Sequence, residues 1–206
     1  APLIHSGEIP LDVSIQYLAG GGASLLPIKL RAELGPKRLP AFEGFEDFVF
    51  ANGGVQEGVF RRGQTEETAS GERRTPLPSA DLTLDSTGSV RTRLKDLPPL
   101  DSPTEATVEM EFQDPNGEIQ TVSTRVPLWT SGVLAGIRPD QWTLSKDVLR
   151  FEAAVVDLSG RPLAGAPVRI DAYERKIYSH RKRLVGGFYA YDHTAEIRRI
   201  GRVAEG

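Results

Sequence analysis

Period-two alternation of apolar and polar residues constrains this chain more than any other feature. In Leu11–Leu18, Leu11, Val13, Ile15 and Tyr17 point one way and Asp12, Ser14 and Gln16 the other. Pro27–Leu34 repeats the pattern, with Ile28, Leu30, Ala32 and Leu34 opposite Lys29, Arg31 and Glu33. This spacing is that of a strand with one face in a core. It recurs at Ala80–Leu84, Ser89–Leu94, Thr104–Phe112, Ile119–Val126 and Val148–Asp157, with a short run at Val133–Ile137. Nothing reads as a long amphipathic helix. The fold class is therefore all-β, as two tandem antiparallel β-sandwich domains of the immunoglobulin or fibronectin kind.

Glycine and proline punctuate the strands. Gly20-Gly21-Gly22 follows the first run without the Lys-Ser/Thr of a phosphate loop, so a hairpin turn is the better reading. Asp85-Ser86-Thr87-Gly88 and Asp114-Pro115-Asn116-Gly117 have tight-turn composition. Asp157 to Gly165 spells D-x-x-G-x-P-x-x-G, in which free glycine φ and fixed proline φ set a hairpin. Residues 35–78 lose the pattern and are expected as a long insertion loop, pinned by Phe42, Phe45 and Phe48. Within it Arg61–Pro78 is polar and Gly/Pro-bearing, and is expected to be mobile. The domains are expected at 1–130 and 131–206, the second truncated at four or five strands.

Charge divides unevenly at that boundary. Residues 1–128 carry 12 Lys/Arg and 19 Asp/Glu, net −7; residues 129–206 carry 13 and 9, net +4. The chain has no cysteine, which excludes disulfides, thiolate zinc sites and cysteine nucleophiles. No run approaches the roughly 20 apolar residues of a membrane span.

Reactive constellations are sparse. The three histidines are His5, His180 and His193, with no acidic partner at a zinc-motif spacing. Ser179 and His180 are neighbours in sequence, but a nucleophile and its base must meet in space. Glu66-Glu67 falls in the loop expected to be mobile, where no scaffold fixes carboxylate spacing. No enzyme activity and no cofactor are expected.

The densest segment is Arg175–Asp192, RKIYSHRKRLVGGFYAYD, where cations interleave with aromatics. Such interleaving can stack and neutralise single-stranded nucleic acid. The plainer reading is two strands, Ala172–Tyr178 and Leu184–Tyr191, joined by a basic turn at Ser179–Arg183, with Gly186-Gly187 as a bulge. On that reading Phe188 and Ala190 take one face and Tyr189 and Tyr191 the other. The aromatics then pack between domains, and Arg181, Lys182 and Arg183 pair with an acidic neighbour.

Residues 178–201, YSHRKRLVGGFYAYDHTAEIRRIG, resemble a signature of bacterial alpha-2-macroglobulins. Gly136–Trp142 and Val155–Gly165 are similar to the opening of the same domain in that family. Gln16–Ala23 and Leu26–Arg31 resemble the macroglobulin-like domain before it. The resemblance implies two macroglobulin-like domains ending just before the bait region. Tyr178, Ser179, His180, Arg181, Lys182, Arg183, Gly186, Gly187, Phe188, Tyr189 and Tyr191 then form a family signature with an interdomain packing role. It also implies a scaffold role in a periplasmic, lipid-anchored protease-trapping protein. The expected partners are the parent's neighbouring domains and, through the parent, proteases; nucleic acid and direct membrane insertion are not expected. Any thioester must lie outside this cysteine-free chain. An adhesin-type module is the alternative, since D-x-x-G-x-P-x-x-G hairpins also occur there. A carbohydrate-binding accessory domain needs an aromatic platform, whereas Trp129 and Trp142 sit at a boundary and a turn.

Overall fold

In a computed structural model describing residues 2–18, 20–39, 41–50, 54–61, 74–140, 150–183 and 188–205, the alternating segments are strands. In chain order they are β1 (Leu3–Ile4), β2 (Ile9–Ser14), β3 (Pro27–Pro36), β4 (Val49–Phe50), β5 (Gly58–Arg61), β6 (Thr75–Thr83), β7 (Ser89–Leu94), β8 (Thr104–Gln113), β9 (Ile119–Trp129), β10 (Val133–Pro139), β11 (Phe151–Asp157), β12 (Arg169–Arg183) and β13 (Tyr189–Glu205). Among the described residues there is no helix. The chain is all-β, with its strands in several sheets.

Two compact units form, Ala1–Arg38 with Arg74–Ser131, and Leu39–Arg73 with Gly132–Gly206. The first has a five-stranded sheet in the order β1-β9-β8-β3-β6 and a two-stranded sheet, β2-β7. Its core follows directly from period two. Ile28, Leu30, Ala32 and Leu34 of β3 are all buried, as are Ala106 and Val108 of β8. Ile9 and Leu11 of β2, Leu94 of β7, Leu84 and Leu128 complete the same cluster. Alternation predicts which face of a strand is buried but not its partner. Thus the first two alternating runs do not pair with each other: β2 pairs with β7, and β3 lies between β6 and β8. The Gly20-Gly21 turn closes on the Gln16–Gly22 bridge, with Gly20 at φ 97° and Gly21 at φ 88°.

The second unit has one sheet ordered β11-β10-β4 and another ordered β12-β13-β5. Two of its strands come from the stretch expected as an insertion loop of the first domain, which corrects that expectation. Val49 and Phe50 pair with Ile137 and Gly136, and Gly58–Arg61 pairs with Ile197–Thr194. The cause is aromatic. Phe45 N–H donates to the Phe42 carbonyl and Phe48 N–H to that of Phe45, two successive turns that gather these rings around Phe50. The Phe42 and Phe50 rings meet edge to face at 5.1 Å, Phe45 and Phe48 at 5.4 Å, and the Arg138 guanidinium lies 5.0 Å from the centre of Phe48. Gly136 leaves room for Phe50, and Gly160 for Phe42. Leu134, Val156, Ala195 and Ile197 are buried in the same unit.

This assignment changes the charge argument. The first unit has 9 cations and 12 acids, net −3, and the second 16 of each, net 0. The apparent asymmetry came from counting Leu39–Arg73 with the wrong unit. Of the stretch expected to be mobile, Thr75–Pro78 is strand β6 and Arg61 ends β5, while 62–73 lies outside the described residues. The turn expected at Pro139–Trp142 extends outside them as well.

Three turns share one chemistry. Asp85, Asp114 and Asp157 each accept N–H bonds through one carboxylate oxygen from residues two and four further on, at 2.8–3.0 Å. In each, the glycine three residues on has positive φ: Gly88 79°, Gly117 88°, Gly160 86°. These bonds favour the charged carboxylate, so all three are held below the usual aspartate range. The leading cause is the Thr87 hydroxyl for Asp85, the Glu118 N–H for Asp114 and the Ser159 hydroxyl for Asp157. A depressed folded-state pKa stabilises the fold above the unfolded value of about 3.9 and loses that contribution as pH falls through the folded value. The thermal midpoint should therefore be flat above about pH 5 and fall towards pH 2. The fall should be shallower in Asp157→Asn; an unchanged acid slope in that variant would contradict the assignment.

Candidate functional site

The segment with the richest chemistry is the hairpin of β12 and β13. The strands pair antiparallel from Arg169↔Glu205 to Arg183↔Tyr189, with irregularities at Ile170/Asp171 and Ala172/Tyr173. Ser179–Arg183 is not the turn expected from its basic composition. It continues β12, with Ser179 opposite His193, His180 opposite Asp192, Arg181 opposite Tyr191, Lys182 opposite Ala190 and Arg183 opposite Tyr189. Cations suit a strand in water as well as they suit a turn, and Arg175–Arg181 is exposed at every position. Gly186 and Gly187 lie outside the described residues, and Tyr189 and Tyr191 are placed by backbone register alone. Phe188 is 74% exposed.

Cross-strand polar contacts hold the hairpin. The Tyr178 hydroxyl donates to Glu196 Oε2 at 3.0 Å, and this bond to a carboxylate is the main cause raising the Tyr178 pKa. Glu174 lies 3.2 Å from Lys176 Nζ and 3.9 Å from Arg198. Asp171 receives Arg199 at 2.6 Å and Arg169 at 3.3 Å, and the bond from Arg199 is the main cause lowering its pKa. The Arg199 N–H donates to Glu57 Oε2 at 2.9 Å, joining the hairpin to the chain just before β5. Exposed pairs like these contribute about 0–1 kcal/mol each, so they set register more than stability.

Ser179 Oγ lies 2.7 Å from His193 Nδ1. The sequence offered His180 as the neighbour of Ser179, but the strand pairing selects His193, fourteen residues on. A hydroxyl on an imidazole is half of a nucleophilic pair. Here it stands on an exposed strand face, with Ser179 directly opposite His193. It acts as a cross-strand hydrogen bond. His180 follows Ser179 and so takes the opposite face from His193, which separates the two histidines considered for a metal. Among the described residues no group of three His, Asp or Glu side chains could hold a metal ion. Among them, no helix is long and apolar enough to cross a membrane.

No family model matches the sequence, and no curated protein does. Solved structures match the whole chain. The native conformation of E. coli alpha-2-macroglobulin is similar at TM-score 0.57 and 19% identity over 100% of this chain and 14% of that one. A mutant of Salmonella alpha-2-macroglobulin is similar at TM-score 0.66 and 17% identity, again over 100% of this chain and 14% of that one. E. coli alpha-2-macroglobulin activated by porcine elastase is similar at TM-score 0.61 and 19% identity, over 100% and 18%. The likeness is one of fold, and this chain spans 14–18% of the length of those it matches.

Proposed function

We propose that this chain is a scaffold segment of a periplasmic, protease-trapping protein of the alpha-2-macroglobulin kind, contributing structure instead of chemistry. The observation that carries the reading is the likeness in fold of this whole chain to a 14% portion of E. coli and Salmonella alpha-2-macroglobulins, at TM-scores of 0.57–0.66. The resemblance of residues 178–201 to a signature of that family supports it from the sequence side. On this reading the exposed hairpin is a surface on which neighbouring domains of the longer protein pack. Cover for Ile177, Tyr178 and Phe188, exposed at 65%, 42% and 74%, would remove apolar surface from water and so be favourable. The Ser179–His193 pair is structural, and proteases are met through the longer protein.

Porcine elastase tests this, because one matched structure was activated by it. The longer protein carrying this chain is expected to retain elastase through size-exclusion chromatography, and the isolated chain to retain none. Cleavage of the longer protein without retention would contradict the trap. Ester or peptide turnover by the isolated chain, abolished in Ser179→Ala, would contradict the scaffold.

A further inference from the structure

The outer edge of β9 is open. Among the described residues β8 pairs along one side of β9 from Ile119 to Leu128, whereas on the other side β1 covers only Leu128 and Trp129. Ile119–Arg125 is exposed at every position, Ile119 at 68% and Val122 at 56%. The orientation of the free backbone groups follows from one bond. His5 N–H donates to the Trp129 carbonyl at 3.0 Å, so that carbonyl faces outward. Backbone groups of successive strand residues face alternate sides. Pro127, Arg125, Ser123, Thr121 and Ile119 therefore face outward too. Pro127 agrees, because its missing N–H falls on the open side, where a sheet tolerates proline.

Open edges template further strands, and folds blunt them with proline or charge. Here β6, at the opposite edge of the same sheet, carries Pro76 and Pro78, and β12 carries Arg175, Lys176 and Arg181. Ile119–Val126 carries no proline, and its one charge, Arg125, lies 3.7 Å from Glu105. We propose that β9 pairs edge to edge, antiparallel, with β9 of a second copy of this chain. Antiparallel pairing sets outward-facing residues opposite each other. A register with Val122 opposite its own copy meets this condition, placing Thr121 opposite Ser123, Gln120 opposite Thr124 and Ile119 opposite the Arg125 stem. No like charges face each other, and hydroxyl residues meet as favourable cross-strand partners. The Val122 pair is of the closer, non-hydrogen-bonded kind, with Cα atoms about 4.5 Å apart.

The inference stands apart from the proposed function and is tested on the 206-residue chain itself. Sedimentation over a concentration series should show a dimer that grows with concentration. Ser123→Pro deletes one outward N–H, leaves the β8–β9 ladder intact, and should return the chain to monomer with an unchanged thermal midpoint. If that variant misfolds, crosslinking decides. The chain has no cysteine, so Val122→Cys places a single thiol against its own copy and should form a linked dimer on mild oxidation. Thr124→Cys, displaced roughly 13 Å from its own copy in this register, should not. A chain monomeric at every concentration, or Thr124→Cys crosslinking as fast as Val122→Cys, overturns the proposal.

Discussion

Gly88→Ala is expected to destabilise the first unit by roughly 2–5 kcal/mol, read from the shift in its denaturant midpoint. Two effects add. Gly88 has φ 79°, where any side chain costs about 1–2 kcal/mol. A Cβ there would also sit 2.5 Å from Ala23 N and 2.7 Å from the Ile15 carbonyl oxygen, both backbone atoms that cannot swing aside. Those atoms are themselves bonded: Ile15 N–H donates to the Gly88 carbonyl and Ala23 N–H to that of Ile15, each at 3.0 Å. Making room for a methyl group therefore breaks the seam between the Gly20–Gly22 turn and the Asp85–Gly88 turn. Gly117→Ala is the control. It sits in the same kind of turn at φ 88°, but its Cβ would meet only the flexible Gln113 amide at 3.7 Å. It should show the left-handed cost alone. Equal losses in the two variants would mean that the close approach at Gly88 is not real.

Phe42→Ala is expected to cost about 3–5 kcal/mol, the range for truncating a buried aromatic. Phe42 is 6% exposed and anchors the ring cluster that holds the Leu39–Arg73 stretch in the second unit. The location of the loss matters as much as its size. Amide hydrogen exchange should speed up in β4, β10 and β11, with β3 and β8 protected as before. Gly160→Ala supplies a coupled test, since its Cβ would lie 2.6 Å from Phe42 Cδ1. With Phe42 already alanine that clash is gone. The double variant should be more stable than the sum of the single losses by about 0.5–3 kcal/mol. Loss of protection in β3 and β8 instead would return the phenylalanine stretch to the first unit.

What the sequence disclosed, and what it hid, follows from the range of each signal. Strands β3, β8 and β9 and the Asp114–Gly117 hairpin were legible because alternation and turn chemistry are local. Phe42, Phe45 and Phe48 were legible as an anchor, since large rings demand cover, but a ring does not name what covers it. Its partners, Phe50 aside, lie around Gly136 and Gly160, about a hundred residues on. β4 and β5, at 2 and 4 residues, are too short to show a period, and their pairing strands are equally remote. Ser179–Arg183 reads as a turn because Arg175–Arg181, exposed on both faces, has no alternation to show a strand. Ser179 and His193 were both visible, but only the register of β12 against β13 shows that they meet.

The most direct test of a structural role uses Ser179→Ala/His193→Ala in the longer protein, challenged with porcine elastase. The pair is exposed and joined by one hydrogen bond, so its removal should leave thermal unfolding nearly unchanged. Elastase retention equal to that of the unsubstituted protein is the expected result. Lost retention with an intact thermal midpoint would contradict the reading of this pair as a cross-strand hydrogen bond alone.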